Sequence, residues 1–205
     1  MFFRHDVIDN FLLDNDLNEL ISIDLKKVHD KEKKVYHNRI FKNGVIESSC
    51  IKKETILRLH ENYHSMAINI LKKFAPKKID LYEYSDFHIV ISGKNHSFPI
   101  HSDTPNKLLS GVIYLKPDTN TGTTLYSSDK KETLEIKWKK NRALFFSRTE
   151  NTPHSYKSDG VSNRVTLIYN LMTTDIKGVC KIEKKFYPFI LIKEKINKIL
   201  SKFSN

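Results

Sequence analysis

The stretch Ile100–Asp103 constrains this chain more than any other. In an extended strand, residues two apart point to the same face, so His101 and Asp103 can reach a single cation. His154, further along the chain, supplies a third side chain of the right type. Two imidazoles and one carboxylate can bind a metal from one side and leave its remaining positions open. The sequence therefore predicts a metal site made of His101, Asp103 and His154.

A second polar pair lies ten residues downstream of His154, inside an apolar run that is typical of a buried strand. Arg164 and Thr166 are two apart and share a face of that strand. An arginine in such a place needs an anionic partner. A guanidinium fork and a hydroxyl together suit a carboxylate group of a ligand. The alternative is an arginine paired with a structural acid of the protein itself.

The ordered set His101-x-Asp103, His154 and Arg164 resembles the 2-oxoglutarate/Fe(II)-dependent dioxygenase family. The segments Ser110–Pro117 and Gly122–Tyr126 are similar to the prolyl-hydroxylase-like branch of that family. The resemblance extends over residues 80–172, and the rest of the chain agrees only in general layout.

The resemblance implies a chemistry and a set of ligands. Fe(II) would be held by the triad, 2-oxoglutarate by Arg164 and Thr166, and O2 would take the last open position. The substrate would be hydroxylated at a C–H bond, with release of succinate and CO2. Tyr114 matches a tyrosine that hydrogen-bonds the cosubstrate in related enzymes, although a core tyrosine bonded to any nearby acceptor is the alternative. His96 either touches the substrate or only lines a loop.

The pattern of β-branched and aromatic residues predicts a mainly β fold with flanking helices. The predicted strands of the core are 79–84, 87–92, 108–116, 123–127, 133–138, 142–147 and 164–171. Strands at this spacing, with no helices between them, indicate a double-stranded β-helix, that is, a jelly roll of the cupin-like type. The predicted division is an N-terminal supporting segment over 1–78, a catalytic core over 79–172 and a C-terminal extension over 173–205.

In the N-terminal segment the sequence predicts a strand over 3–8, a helix opening at Asp9 and a hairpin over 35–48. Asp9 or Asp14 would cap the helix. Asn43-Gly44 is a favoured pair for the turn of the hairpin, because both residues tolerate positive φ.

An apolar stripe that includes Met66 predicts a long helix over 53–74, ended by Pro76. His60 and His64 are four apart on this helix. The spacing suits a metal, but surface histidines are the favoured interpretation.

The C-terminal extension contains a predicted basic amphipathic helix after Pro188. Its apolar face consists of Ile192, Ile196, Ile199, Leu200 and Phe203. We expect this helix to pack on the barrel or on a second copy of the chain, as in a homodimer, in preference to a membrane surface.

The chain has 205 residues and a net charge of +11. Such a charge suits a polyanionic partner, but the lysines are dispersed among acids, so we find no strong nucleic-acid signal. The chain has 2 cysteines, no signal-peptide pattern and no apolar run that could cross a bilayer, which predicts a cytoplasmic protein.

Two other functions compete with the hydroxylase. A nucleic-acid demethylase of the same chemistry would fit the charge, but the alkylation-repair branch has a second arginine where this chain has Asn170. A non-catalytic cupin-like barrel would need neither the triad nor Arg164. The sequence does not separate a peptidyl from a small-molecule substrate.

Overall fold

The computed structural model describes residues 1–187 as twelve strands, three α-helices and one 3₁₀ helix. The helices are α1 (Asp14–Ser22), α2 (Lys53–Phe74), the 3₁₀ helix (Pro76–Leu81) and α3 (Ile176–Ile182). The strands are β1 (Asp6–Ile8), β2 (Lys33–Tyr36), β3 (Arg39–Phe41), β4 (Ile46–Glu47), β5 (Tyr84–Ser92), β6 (Ser97–His101), β7 (Lys107–Lys116), β8 (Thr123–Tyr126), β9 (Thr133–Ile136), β10 (Ala143–Phe146), β11 (His154–Lys157) and β12 (Arg164–Met172).

Within residues 1–187 the strands form one sheet of eight and one of four, and the pairs are antiparallel. The larger sheet has the order β1, β10, β7, β12, β5, β3, β4, with β2 also paired to β5. The smaller sheet has the order β6, β11, β8, β9. Two antiparallel sheets with crossing connections make a jelly roll. The predicted fold class is therefore confirmed.

Strand β12 lies at the centre of the larger sheet, between β5 and β7. Its side chains alternate, as strand geometry requires. Leu167, Tyr169 and Leu171 join the main apolar core. Thr166 and Ile168 point to the opposite face and line a cavity. This alternation is what places polar side chains of a buried strand around the site.

Helix α2 covers the core face of the larger sheet. Its buried stripe includes Ile56, Leu59, Tyr63 and Ile70. The predicted helix over 53–74 is confirmed, but Met66 is 40% exposed, so its place in the stripe was wrong. Ala67 takes the buried position instead, because the stripe continues from Tyr63 at a spacing of four.

The N-terminal helix begins later than predicted, at Asp14, and no side chain caps it. Asp9 has another role, because it forms ion pairs with Lys139 and Arg142 at 2.8 and 2.6 Å. The predicted capping role of Asp9 and Asp14 was thus wrong. The predicted hairpin is formed by β3 and β4, and Gly44 adopts a φ of +84° in its turn.

The predicted strand over 79–84 was wrong, because the chain forms the 3₁₀ helix there. Pro76 begins this helix, where a missing backbone N–H costs nothing. His60 and His64 are only partly exposed. Their rings stack at 4.2 Å, and His64 also packs on Tyr82 at 4.9 Å, so the surface interpretation was incomplete.

The C-terminal extension continues to pack on the core through α3, in which Val179 and Cys180 are buried. This helix was missed from the sequence, since it is only seven residues long. The predicted amphipathic helix lies outside the described residues. Within residues 1–187, no helix has the length and apolar character that a membrane span requires.

Two leucines of α2 test the packing directly. Leu59 is 0% exposed and Leu57 is 44% exposed. We expect Leu59→Ala to lower the free energy of unfolding by about 2–5 kcal/mol, because it leaves a cavity in a packed core. Leu57→Ala should stay within about 0.5 kcal/mol of the wild type. Urea denaturation with unchanged slopes measures both, and equal costs would contradict this account of the core.

Candidate metal centre

The three predicted metal ligands meet at one end of the smaller sheet. His101 ends β6 and His154 begins β11, and the two residues are direct neighbours across the sheet. Their rings lie 4.3 Å apart between centres. Ligand atoms of His101, Asp103 and His154 all lie within 4.8 Å of one another. This spacing allows one ion to contact all three side chains.

Both histidines are held in the same tautomer by the backbone. The Nδ1 atom of His101 lies 3.0 Å from the carbonyl oxygen of Pro99, and that of His154 lies 3.0 Å from the carbonyl oxygen of Thr152. A carbonyl oxygen only accepts, so each Nδ1 carries the proton and each Nε2 keeps a free lone pair. Burial, together with the neighbouring His154, lowers the pKa of His101 to about 4, which keeps this ring neutral at physiological pH.

Asp103 is oriented by two donors. Lys107 Nζ lies 2.7 Å from one carboxylate oxygen, and Ser110 Oγ donates to the other at 2.6 Å. Burial acts to raise the pKa of Asp103, but Lys107, His154 and the hydrogen bond from Ser110 together outweigh it and hold this pKa well below its ordinary value. Asp103 is therefore an anion, as a metal ligand must be.

A buried network of ion pairs and hydrogen bonds fixes the backbone of Asp103. Arg148 Nε donates to the carbonyl oxygen of Asp103 at 2.7 Å. Arg148 in turn forms an ion pair with Glu183, just past α3, at 3.1 Å. Lys78 of the 3₁₀ helix donates to the carbonyl oxygen of Arg148 at 2.6 Å and to Glu183 at 2.9 Å. Arg148, Lys78 and Glu183 are all nearly inaccessible to solvent.

A cavity of about 310 Å³ extends from the triad to Arg164. Arg164 is 2% exposed, yet within residues 1–187 its Nε and Nη1 atoms have no hydrogen-bond partner. Thr166 lines the same cavity. Protein interiors seldom leave an arginine in this state, because a buried charge needs a compensating anion.

Aromatic rings surround the Arg164 guanidinium. Its central carbon lies 4.1 Å from the ring centre of Tyr156, 5.3 Å from that of Trp138 and 5.5 Å from that of Tyr114. Ring faces attract a cation, and they exclude the water that would otherwise screen it. The structural acid that the alternative interpretation of Arg164 requires is absent from the part of the chain that the structure describes.

The other two predicted site residues lie outside the cavity lining. Tyr114 is fully buried, and its hydroxyl donates to Thr123 Oγ1 at 2.9 Å. Thr123 does line the cavity, so the side chain of Thr123 lies between the Tyr114 hydroxyl and the cavity. His96 is buried with its ring 5.6 Å from that of Tyr156.

Sequence reasoning missed several residues around the site. Tyr156 stands two after His154, and the strand alternation that found Asp103 would have found it too. Lys107 and Ser110 could be placed beside Asp103 only from the path of the chain after Asp103, and no local sequence pattern indicates that path. Arg148 and Glu183 are 35 apart in sequence and come together only in the folded protein.

No model of a known protein family matches the sequence, and a search of curated proteins finds no relative. Solved structures do match. A prolyl hydroxylase from Trichoplax adhaerens, in complex with a hypoxia inducible factor peptide fragment, is similar at a TM-score of 0.57 and 17% identity, over 85% of this chain and 86% of that one. A prolyl-4-hydroxylase from Pseudomonas putida is similar at a TM-score of 0.57 and 12% identity, over 82% of this chain and 92% of that one.

An oxidoreductase of the 2OG-Fe(II) oxygenase family from Burkholderia pseudomallei is similar at a TM-score of 0.52 and 13% identity, over 82% of this chain and 84% of that one. Identities this low establish the fold and leave activity to the site itself. The protein thus has the double-stranded β-helix fold of the 2OG-Fe(II) oxygenases, with prolyl hydroxylases among its structural neighbours.

The Arg148 contact generates a prediction about metal affinity. Arg148→Lys removes the Nε donor to Asp103 but keeps the charge beside Glu183. We expect Mn(II) to bind about 10–100-fold more weakly, because supporting residues orient the ligands of a metal. Arg142→Lys is the matched control, since Arg142 is bonded to the surface residue Asp9. Titration of protein that circular dichroism shows to be folded separates the two, and equal affinities would contradict the prediction.

Proposed function

We propose that the protein is an Fe(II)- and 2-oxoglutarate-dependent dioxygenase that hydroxylates a C–H bond of a peptidyl or small-molecule substrate. The metal, when bound, supplies the oxygen chemistry that couples this hydroxylation to the conversion of 2-oxoglutarate into succinate and CO2. The protein supplies ligands, orientation and a cavity beside the metal-ligand side chains.

The observation that carries the proposal is Arg164, a buried cation with no acidic partner within residues 1–187, in a cavity that three metal-ligand side chains also line. A ligand with a carboxylate at one end and a chelating group at the other would pair with Arg164 and bind the metal at the same time. A 2-oxo dicarboxylate has these two features. Thr166 lies beside Arg164 on the cavity wall and can donate its hydroxyl to the same carboxylate.

The donor set fits Fe(II). Two imidazole Nε2 atoms and one carboxylate oxygen on one side of the ion are the ligands that non-haem iron oxygenases use. His101 and His154 are bonded to backbone carbonyl groups, which is how metal-binding histidines are normally oriented. Lys107 lies against Asp103, so a bound metal would share this carboxylate with a lysine.

A demethylase acting on nucleic acid is less well supported. The position that would need a second arginine is Asn170, a buried residue whose side-chain oxygen lies 3.4 Å from the backbone nitrogen of Gly111. Asn170 is neutral, so it brings no second cation to the cavity.

Succinate formation tests the enzyme without knowledge of its substrate. We expect the wild-type protein to convert 2-oxoglutarate into succinate slowly, and only with Fe(II) and O2 present. Asp103→Ala should remove this activity and weaken metal binding while the protein stays folded, because Asp103 lies in a loop just past β6 and both histidine ligands stand on preformed strands. If Asp103→Ala binds iron as tightly as the wild type in an anaerobic titration, the ligand assignment is wrong.

Cosubstrate affinity tests Arg164 separately from the metal. We expect Arg164→Leu to weaken binding of 2-oxoglutarate to the Mn(II)-loaded protein by about 3–5 kcal/mol, since a carboxylate would be left buried and unpaired. Metal affinity should be unchanged, because Arg164 is not a ligand. Arg142→Leu, which removes an arginine of the protein surface, serves as the control. Equal 2-oxoglutarate affinities for wild type and Arg164→Leu would favour the non-catalytic metal barrel.

A further inference from the structure

Two lysines line the cavity in addition to Arg164. Lys107 begins β7 and contacts Asp103. Lys33 begins β2, which is paired to β5 of the larger sheet. The Nζ atom of Lys33 lies 3.7 Å from the ring centre of Phe98, which belongs to β6 in the smaller sheet. Lys33 thus reaches from one sheet to the other, at the solvent-exposed side of the cavity.

The cavity lining has more positive charge than the proposed ligands neutralise. Among residues 1–187, its charged side chains are Lys33, Lys107 and Arg164 against the single carboxylate of Asp103, a balance of +2. A divalent metal raises the balance to +4, and the two carboxylates of 2-oxoglutarate lower it to +2. Burial and the charge of Lys107 lower the pKa of Lys33, which is the response expected of a cation that is partly removed from water near a second cation.

The excess charge lies away from Arg164. Two rings separate Arg164 from Lys33. Tyr156 lies 4.1 Å from the Arg164 guanidinium, and its ring is nearly parallel to that of Phe98 at 6.0 Å. Phe98 in turn packs edge to face on His101, at 4.4 Å between ring centres. A carboxylate bound by Arg164 is therefore not in place to neutralise Lys33, whereas a molecule entering beside His101 passes this lysine directly.

We propose that the substrate of this site is acidic, and that Lys33 and Lys107 hold its carboxylate or phosphate group at the entrance of the cavity. The proposal rests on the proposed function, which accounts for Arg164 and the metal. A neutral substrate would close the cavity over Lys33, which has no acidic partner within residues 1–187, and over Lys107, whose partner Asp103 would be shared with the metal. The electrostatic cost of this arrangement grows as water is excluded. An anionic group removes that cost and places the rest of the molecule toward the metal ligands.

Inorganic phosphate and acetate serve as probes for this subsite. The protein is loaded with one equivalent of Mn(II) and saturated with 2-oxoglutarate, so that the Arg164 subsite is filled, and each anion is titrated by calorimetry. We expect the wild type to bind at least one of the two anions. Lys33→Gln should weaken that binding at least fivefold while leaving 2-oxoglutarate affinity unchanged. Tighter binding of phosphate would indicate a phosphate ester as substrate, and tighter binding of acetate a carboxylic acid.

Lys34→Gln is the matched control, because it removes the same charge from the next position of β2. Lys34 lies over Tyr36 at 5.0 Å and is not part of the cavity lining. The proposal is overturned if neither anion binds the wild type, or if Lys33→Gln and Lys34→Gln behave alike. It is also overturned if Lys33→Gln weakens 2-oxoglutarate instead, since Lys33 would then belong to the cosubstrate subsite. Failure of the wild type to bind 2-oxoglutarate at all would overturn the proposed function first.

Discussion

The buried charge of Arg164 is the constraint on which the arrangement of this site depends. Removing a guanidinium from water costs several kcal/mol unless an anion compensates it. Within residues 1–187 no carboxylate does so, and the surrounding aromatic rings offset only part of the cost. The packing of β12 between β5 and β7 must hold this residue in place. The fold thus maintains an unfavourable charge whose cost a bound anion would relieve.

The two sheets divide the site between them. The smaller sheet contributes both histidines, and the larger sheet contributes Arg164 and Thr166. Their separation is set by the packing of one sheet against the other, and helix α2 covers the far face of the larger sheet. The dimensions of the cavity are therefore a property of the whole core, even though local strand geometry positions His101, His154, Arg164 and Thr166.

Strand alternation predicted part of the set of residues that the structure brings together around the cavity. Arg164 and Thr166 stand two apart on β12, and a period of two is visible in any strand. His101 and Asp103 also stand two apart, but Asp103 lies in the loop just past β6, and His154 was found by its residue type. The network around Arg148 was invisible because Lys78 and Glu183 come from helical segments far apart in sequence. The 3₁₀ helix after Pro76 was read as a strand, since a short segment with Ile79 and Leu81 has no period that separates the two. Local periodicity thus identified residues of the cavity wall but did not indicate the buried network around Arg148.

The hydrogen bond between Arg148 and the carbonyl group of Asp103 connects the metal site to a segment that is distant from it in sequence. Glu183 lies just past α3, and its ion pair with Arg148 ties this segment to the loop that presents the carboxylate. If docking of residues 176–183 favours the geometry that binds the metal, then the bound metal favours docking by the same factor, because such coupling is reciprocal. The segment 176–183 would accordingly resist opening more strongly in the metal-loaded protein, so that its rate of proteolysis would depend on whether the metal site is filled.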